Sequence, residues 1–221
     1  MIYFKKSWTD EEASMLKVDV CVLRPDLGKD HAERVAFEML RHEKYCVEDE
    51  FEPTRPDGRE RDDYDPRATY LIVKRGGKPV AGCRLVYADH TTRLPLEGKP
   101  FAFKQPVART PRYEVSRMMN REEDNSLRRS IGCTLYTGLF SFLQKEQKRI
   151  GAAPYGMVTP TYLRGLGMAF SRDCFPTIAD EIIDETPLGC SLPHVPFYIN
   201  LRRWALHFAD TSVREPLLAA A

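Results

Sequence analysis

The stretch TYLIVKRGGKPVAGCRLVY, residues 69–87, contains two β-rich runs on either side of Gly76-Gly77. Two glycines between strand-forming runs are typical of a tight β-hairpin, because glycine adopts at little cost the positive φ angles that such turns require. The stretch therefore predicts an antiparallel hairpin near the middle of the chain.

The segments around this hairpin alternate between strand-like and helical patterns. Before it, residues 18–24 predict a strand, and residues 30–46 predict a helix with Asp30 as N-cap and an apolar face of Ala32, Val35, Ala36, Met39 and Leu40. After it, the patterns predict a strand at 112–119, a helix at 126–150, a strand at 152–160, a helical turn at 161–166 stopped by Gly167, strands at 168–177 and near 194–200, and a helix at 200–208. This order indicates an α/β fold with a mixed sheet rather than a repeated βαβ series.

The composition limits the classes of function. A chain of 221 residues suits a single domain over 1–221, and a net charge of +1 gives no general reason to expect nucleic acid or membrane binding. The six cysteines are dispersed without the spacing of metal ligands, so we expect reduced thiols and no metal site. The sequence has no apolar run of about 18 residues and no signal-peptide pattern, which favours a cytoplasmic protein without a membrane span.

An acidic segment, RERDDYDPRATYL at 59–71, follows the first predicted helix in a long loop. Its carboxylates Glu60, Asp62 and Asp65 either keep the loop solvated or belong to a functional site, since long loops in compact domains tend to be functional or disordered. The remaining charged residues of its first part, Arg59, Arg61 and Asp63, are interpreted as solvated spacers.

Four charged residues stand inside segments that are otherwise half buried: Arg41 in the first helix, and Arg84, Glu114 and Arg117 in strands. An unpaired charge there is costly, so the arginines either pair with carboxylates to fasten the loop or form a site with them. Glu114 and Arg117 are three residues apart, so they share a strand face only if a bulge lies between them. Such a bulge would also turn a backbone N–H towards an oxyanion.

Two aromatic residues complete a pattern of separate short motifs. The motifs are Arg41 with Tyr45 and Phe51, Glu60-x-Asp62-x-x-Asp65, Arg84 in GCRLV, and Glu114-x-x-Arg117 in YEVSR. Over about residues 34–170 this pattern resembles the autoinducer synthase group, which includes acyl-homoserine-lactone synthases, N-acyl amino acid synthases and acyltransferases of PEP-CTERM/exosortase systems. Lactone synthases usually carry Trp at the position of Phe51 and Phe at that of Tyr45, so the local sequence is closer to the other two branches.

The resemblance implies a GNAT-like (acyl-CoA N-acyltransferase-like) three-layer fold, whose mixed central sheet splays apart to admit the pantetheine arm of an acyl thioester. It implies an enzyme that moves a fatty acyl group from acyl carrier protein or coenzyme A to the amine of a small acceptor. An amino acid is the expected acceptor, and no cofactor is expected beyond the acyl donor.

The same resemblance assigns roles to the residues. Glu114 is the expected general base, although it could instead be a structural partner of Arg117 or Arg84. Backbone N–H groups near Ser116 and Arg117 would bind the oxyanion, and Glu60 would face either the arginines or the acceptor ammonium. The expected acceptor-side network consists of Arg41, Tyr45, Phe51, Asp62, Asp65 and Arg84. If the acceptor is an amino acid, its carboxylate would meet Arg117.

An acidic carrier protein would dock on basic residues. The candidates, which could equally be ordinary solvated helix charges, are Arg121, Arg128, Arg129, Lys145, Lys148 and Arg149. The region of Leu139, Phe140, Phe142 and Leu143, with Met157 and Tyr162, could line a slot for the acyl chain. A glycine-rich pyrophosphate motif is absent before the long helix, which favours carrier protein over coenzyme A as the donor.

Two rival functions stay open. The first is an acyl-homoserine-lactone synthase of quorum sensing, which would use S-adenosylmethionine as its acceptor. The second is a non-catalytic domain that keeps the fold and binds an acyl thioester or a lipid.

Overall fold

The computed structural model describes residues 18–28, 31–185 and 191–209. Over these residues the chain forms seven strands and four α-helices. In chain order they are β1 Val18–Leu23, α1 Ala32–His42, β2 Ala68–Arg75, β3 Lys78–Ala88, β4 Arg112–Asn120, α2 Asn125–Ile150, β5 Ala153–Val158, α3 Pro160–Phe170, β6 Ile182–Glu185, β7 Ser191–Tyr198 and α4 Leu201–Ala209. The expected N-cap Asp30 and the thiol of Cys190 lie outside the described residues.

The strands form a mixed sheet in the order β1-β2-β3-β4-β5-β7-β6. Strand β1 pairs antiparallel with β2, β4 pairs parallel with β5, and β7 pairs antiparallel with both β5 and β6. The predicted hairpin is formed by β2 and β3, and Gly76 and Gly77 have φ angles of 57° and 82°. The α/β architecture with a mixed sheet and a central hairpin is therefore confirmed.

The chain divides into two compact units, here called the first and the second unit. The first comprises Met1–Leu85 and Arg117–Leu139, and the second comprises Val86–Ser116 and Phe140–Ala221. Trp204 centres an aromatic cluster in the second unit, with ring centroids of its neighbours 5.2 to 5.6 Å away. The expectation of a single domain over 1–221 stays a prediction. Within the described part of the chain, no helix is long and apolar enough to cross a membrane.

Helix α1 buries a different face from the one that its apolar residues predict. Its buried residues are Arg34, Phe37, Glu38 and Arg41. Met39, on the predicted apolar face, is 52% exposed. Charged side chains occupy the buried face because each is held by ion pairs, which offset the cost of removing charge from water. After His42 the chain continues as a π-helix over Glu43–Glu48, a wide turn that is frequent at functional sites.

The segment after β5 differs most from the prediction. Gly167 does not stop a short turn but lies inside α3, which runs on to Phe170. A Cβ at Gly167 would lie 2.9 Å from Cγ of Arg172, so glycine serves close packing at this position rather than helix termination. Residues 168–177 are therefore not a strand, and the chain instead forms a 3-10 turn at Arg172–Cys174. Strand β6 lies outside every predicted element.

Candidate active site

A buried ion cluster fastens the acidic loop to α1 and β3 within the first unit. The fully buried Arg41 donates to both oxygens of Asp65, with Nη1–Oδ1 at 3.0 Å and Nη2–Oδ2 at 3.3 Å, and it also donates to Oε2 of Glu60. Arg84 donates from Nη1 to Oδ1 of Asp65 at 3.1 Å and to Oδ1 of Asp62 at 2.6 Å. Side chains predicted to form a network are thus brought together.

Asp65 lies at the centre of this cluster. Its carboxylate also accepts hydrogen bonds from the hydroxyl of Tyr70 and from the backbone N–H of Asp62, both at 2.7 Å. Burial alone would raise the pKa of Asp65, but the guanidinium groups of Arg41 and Arg84 hold that pKa well below its usual range. Asp65 therefore stays charged at neutral pH and acts as an anchor rather than a proton carrier.

Arg117 has a φ of 50°, a left-handed conformation that is rare for a residue other than glycine. Strand β4 runs through this position to Asn120, and the bulge that would bring Glu114 and Arg117 onto one face stays a prediction. The guanidinium group donates to Oε1 of Glu60 at 3.1 Å and to Oε1 of Glu52 at 2.8 Å. It lies over the ring of Tyr45, with its central carbon 5.4 Å from the ring centroid. Ionic and aromatic contacts thus hold a strained residue in place.

The π-helix supplies the aromatic part of this arrangement. The hydroxyl of Tyr45 donates to the backbone C=O of Met118 at 3.2 Å, which ties the helix to β4 beside Arg117. The half-buried Phe51 donates its backbone N–H to the C=O of Tyr45 at 2.8 Å. Both predicted aromatic residues therefore lie on the segment that contacts Arg117.

The members of the cluster differ in their access to solvent. The buried members are Arg41, Glu60, Asp65 and Arg84, each at most 3% exposed. The side chains of Glu52, Asp62 and Arg117 are 30%, 29% and 25% exposed, so these three form the accessible rim of the cluster. Glu60 faces the arginines, which is one of its two predicted alternatives, and a direct catalytic role for it stays a prediction.

Sequence reasoning missed Glu38, a fully buried carboxylate of α1. It accepts hydrogen bonds from Nε of Arg34 at 3.0 Å and from Nε of Arg59 at 2.8 Å, so Arg59 is not a solvated spacer. Arg34 also donates to the backbone C=O of Asp65 at 2.9 Å. The loop is thus held at both ends. The charged spacing of 34, 38 and 41 on one helical face was the available signal.

The second unit holds Glu114, the predicted general base. It lies in β4, is 1% exposed, and accepts a hydrogen bond at Oε2 from the backbone N–H of Leu96 at 2.7 Å. The parallel pairing of β4 with β5 runs from Arg112–Ala153 to Val115–Gly156. Val115 is therefore the last paired position of β4, with Glu114 directly before it and Ser116 directly after it.

The six predicted docking residues fall into two groups. Arg121, Arg128 and Arg129 belong to the first unit, whereas Lys145, Lys148 and Arg149 belong to the second. More than four turns of α2 separate Arg129 from Lys145. Arg121 is paired with Glu48, and Arg149 with Glu146. Docking of a carrier protein on either group stays a prediction.

The residues of the predicted acyl slot make contacts typical of a core. Leu139 and Leu143 are each 1% exposed, and the ring of Phe140 packs edge-on against Trp204. Tyr162 is 42% exposed on α3. The acyl slot stays a prediction. Among the residues that the structure describes, no group of three or more His, Cys, Asp or Glu side chains is placed to hold a metal ion.

A GNAT acetyltransferase domain matches residues 40–126, a range that contains both the ion cluster and Glu114. No curated protein sequence matches the chain significantly.

Several solved structures are similar. The CoA-dependent acyl-homoserine lactone synthase BjaI, solved with SAM and isopentyl-CoA, has a TM-score of 0.64 at 19% identity, covering 87% of this chain and 88% of BjaI. The AHL synthase LasI has a TM-score of 0.57 at 16% identity, covering 84% and 91%. FeeM, an N-acyl amino acid synthase from uncultured soil microbes, has a TM-score of 0.50 at 12% identity, covering 87% and 95%.

The fold is that of the GNAT-type acyltransferases, and residues 40–126 match the GNAT acetyltransferase domain. The predicted GNAT-like fold and the resemblance to autoinducer synthase-like acyltransferases are confirmed.

Proposed function

We propose that the protein transfers a fatty acyl group from acyl carrier protein to the amine of a small acceptor, an amino acid or a related metabolite. The observation that carries the proposal is in β4, where the buried carboxylate of Glu114 stands at the end of the β4–β5 pairing and the strand becomes irregular at Arg117. A carboxylate base and redirected backbone N–H groups are the two devices that aminolysis of a thioester needs. The acyl donor implies a cytoplasmic protein.

The chemistry requires little acid catalysis, because a thioester is already activated. Glu114, directly or through a water, takes one proton from the acceptor ammonium and later releases it to solvent. The free amine attacks the thioester carbonyl carbon, and backbone N–H groups near Ser116 and Arg117 stabilise the tetrahedral oxyanion. The C–S bond then breaks, and the second proton of the nitrogen goes to the leaving thiolate. The products are an amide and the free carrier thiol.

The rim of the ion cluster supports an amino acid as acceptor. Asp62 and Glu52 are carboxylates that would attract an ammonium group, and Arg117 would attract a carboxylate. Asp65 and Arg41 lie beneath them as a rigid base, so the rim groups are held in place before the acceptor arrives. These features and the local sequence support the N-acyl amino acid and exosortase-associated branches.

A lactone synthase that uses S-adenosylmethionine is the second candidate. The carboxylates of the cluster, including Glu52, outnumber the three arginines Arg41, Arg84 and Arg117 by one. That excess of negative charge suits an acceptor with a net positive charge, such as a sulfonium. The likeness in fold to BjaI, which was solved with SAM, is compatible with this candidate.

The beginning of α2 supports a carrier protein rather than free coenzyme A as the donor. A helix N-terminus binds pyrophosphate through its free N–H groups and its dipole. Here the carboxylate of Asp124 accepts from the N–H of Leu127 at 3.2 Å, and the acidic residues Glu122 and Glu123 precede it. A pyrophosphate at this position would have to compete with the carboxylate of Asp124 for the N–H groups of the helix, whereas the phosphate of a carrier-bound pantetheine need not reach them.

The deciding experiment offers acyl carrier protein thioesters and acyl-CoA thioesters to the purified protein with amino acids, simple amines and S-adenosylmethionine. Products are identified by mass spectrometry. We expect an N-acyl amino acid from a carrier thioester. Acyl-homoserine lactone with methylthioadenosine would establish the second candidate instead. Absence of transfer to every amine would contradict both.

A Glu114→Gln variant distinguishes a catalytic base from a residue that only accepts a structural hydrogen bond, because glutamine keeps an oxygen that accepts from the N–H of Leu96. We expect kcat to fall by about 10²- to 10⁴-fold while the melting temperature stays unchanged. Glu123→Gln, at an exposed position near β4, is the matched control and should keep full activity. Acyl binding by a wild-type protein that never turns over would favour the non-catalytic domain.

A further inference from the structure

Arg112, the first residue of β4, lies two residues before Glu114, and side chains two apart in a strand share a face. Both side chains contact the irregular segment 89–98 within the second unit. We infer that Arg112 and Glu97 form a clamp that positions the carboxylate of Glu114 for proton transfer. The inference rests on the proposed function for its kinetic consequence, and on the structure alone for its geometry.

The clamp itself is a set of short contacts around a buried guanidinium group. Arg112 is 3% exposed, and it donates from Nη1 to the C=O of Asp89 at 2.6 Å and from Nη2 to the C=O of Thr92 at 2.9 Å. It pairs with both oxygens of Glu97, with Nη2–Oε1 at 3.0 Å and Nε–Oε2 at 3.2 Å. A planar guanidinium group suits this geometry because its donors point in fixed directions.

The contacts lead from the clamp to the proposed base. Oε2 of Glu97 also accepts from the backbone N–H of Leu94 at 2.7 Å, so Glu97 caps the 3-10 helix Pro95–Gly98. Inside that helix, Leu96 donates its backbone N–H to Oε2 of Glu114 at 2.7 Å, and its side chain is fully buried. The position of the 3-10 helix therefore sets the direction from which Glu114 receives a hydrogen bond.

Loss of the clamp should alter the chemistry of Glu114 rather than substrate binding. In Arg112→Lys, an ammonium group cannot reproduce both contacts to Glu97 together with the two carbonyl contacts. The 3-10 helix then loosens, and Glu114 loses a donor that favours its charged form. We expect the acid limb of the kcat/KM profile to move up by about one pH unit, and kcat to fall about tenfold. The KM of both substrates should stay within about twofold.

The matched control is Tyr113→Phe, in the same strand but on its other face. The hydroxyl of Tyr113 donates to Oε2 of Glu146 at 3.2 Å, so the variant loses a buried hydrogen bond without touching segment 89–98. It should lower the melting temperature and leave the acid limb in place. If the acid limb of the kcat/KM profile shifts equally in both variants, the clamp contributes only to general stability and the inference is overturned. Glu97→Gln replaces Arg112→Lys should the latter fail to fold.

Hydrogen exchange gives a readout that needs no turnover. Peptides that contain Leu96 should exchange about tenfold faster in Arg112→Lys than in the wild type, and at the wild-type rate in Tyr113→Phe. Unchanged exchange in Arg112→Lys would overturn the clamp even in an active enzyme. Faster exchange in a protein that transfers no acyl group would uphold the geometry of the clamp and refute the proposed function instead.

Discussion

At the scale of single residues, the candidate site is built from carboxylates that differ in burial. Asp65 is buried and accepts hydrogen bonds from Arg41 and Arg84, whereas Asp62 accepts from Arg84 and its side chain is 29% exposed. The resemblance to a known family implied that these residues form a network. It did not predict Glu38 or the contact that Arg59 makes with it, since that pairing depends on how the loop folds back on α1.

Asp62 should matter for transfer and its neighbour Asp63 should not. Asp62→Asn weakens a charge-assisted hydrogen bond with Arg84 and removes a rim charge that the acceptor ammonium would meet. We expect kcat/KM to fall about tenfold, the equivalent of one such bond. Asp63→Asn, at an exposed position, should stay within about twofold. Equal losses in steady-state kinetics would show that the segment acts only as a solvated loop.

At the scale of elements, local patterns predicted the hairpin and most of the strands, but they did not predict the orientation of α1. The turn at Gly76-Gly77 follows from backbone conformation, which is a local property. The buried face of α1 instead depends on Arg59, Glu60 and Asp65, which lie in the loop after the helix and supply the partners for its charged side chains. The role of Gly167 was predicted wrongly because its close approach to the side chain of Arg172 does not show in the local sequence pattern.

The attachment of the acidic loop to α1 should depend on pH. The pKa of Asp65 is lower in the folded protein than its ordinary value, since Arg41 and Arg84 outweigh the effect of burial. Its stabilising contribution is therefore complete above about pH 4, the usual value for Asp, and is lost as the pH falls further towards the folded pKa.

Asp65→Asn tests this dependence. We expect it to lower the free energy of unfolding by about 3 to 5 kcal/mol at neutral pH, because it leaves buried arginines without their main partner. In urea titrations at about pH 7, 4 and 2.5, the difference in free energy of unfolding between the variant and the wild type should be smallest at the lowest pH. Asp63→Asn should follow the wild-type curve throughout. If that difference in free energy of unfolding is the same at every pH, groups other than Asp65 cause the pH dependence of stability.

At the scale of the whole molecule, a net charge of +1 conceals local groups of one sign. Arg121 directly follows β4, Arg128 and Arg129 lie in the first turns of α2, and Lys145, Lys148 and Arg149 lie near its end. The composition could not show that the helix separates them. A carrier protein of limited pantetheine reach should therefore use one group and not both.

We expect the group at the beginning of α2 to be the one used, because it follows β4, the strand that carries Glu114, after a short connection. Arg129→Glu should raise the KM for the acyl carrier protein about tenfold and weaken its dependence on salt. Lys148→Glu, an exposed reversal of the same charge, is the matched control and should stay within about twofold. With acyl-CoA as donor, both variants should match the wild type, since no carrier surface is then involved. A larger effect of Lys148→Glu would move the docking surface to the end of α2, and no effect of either would favour free coenzyme A as the donor.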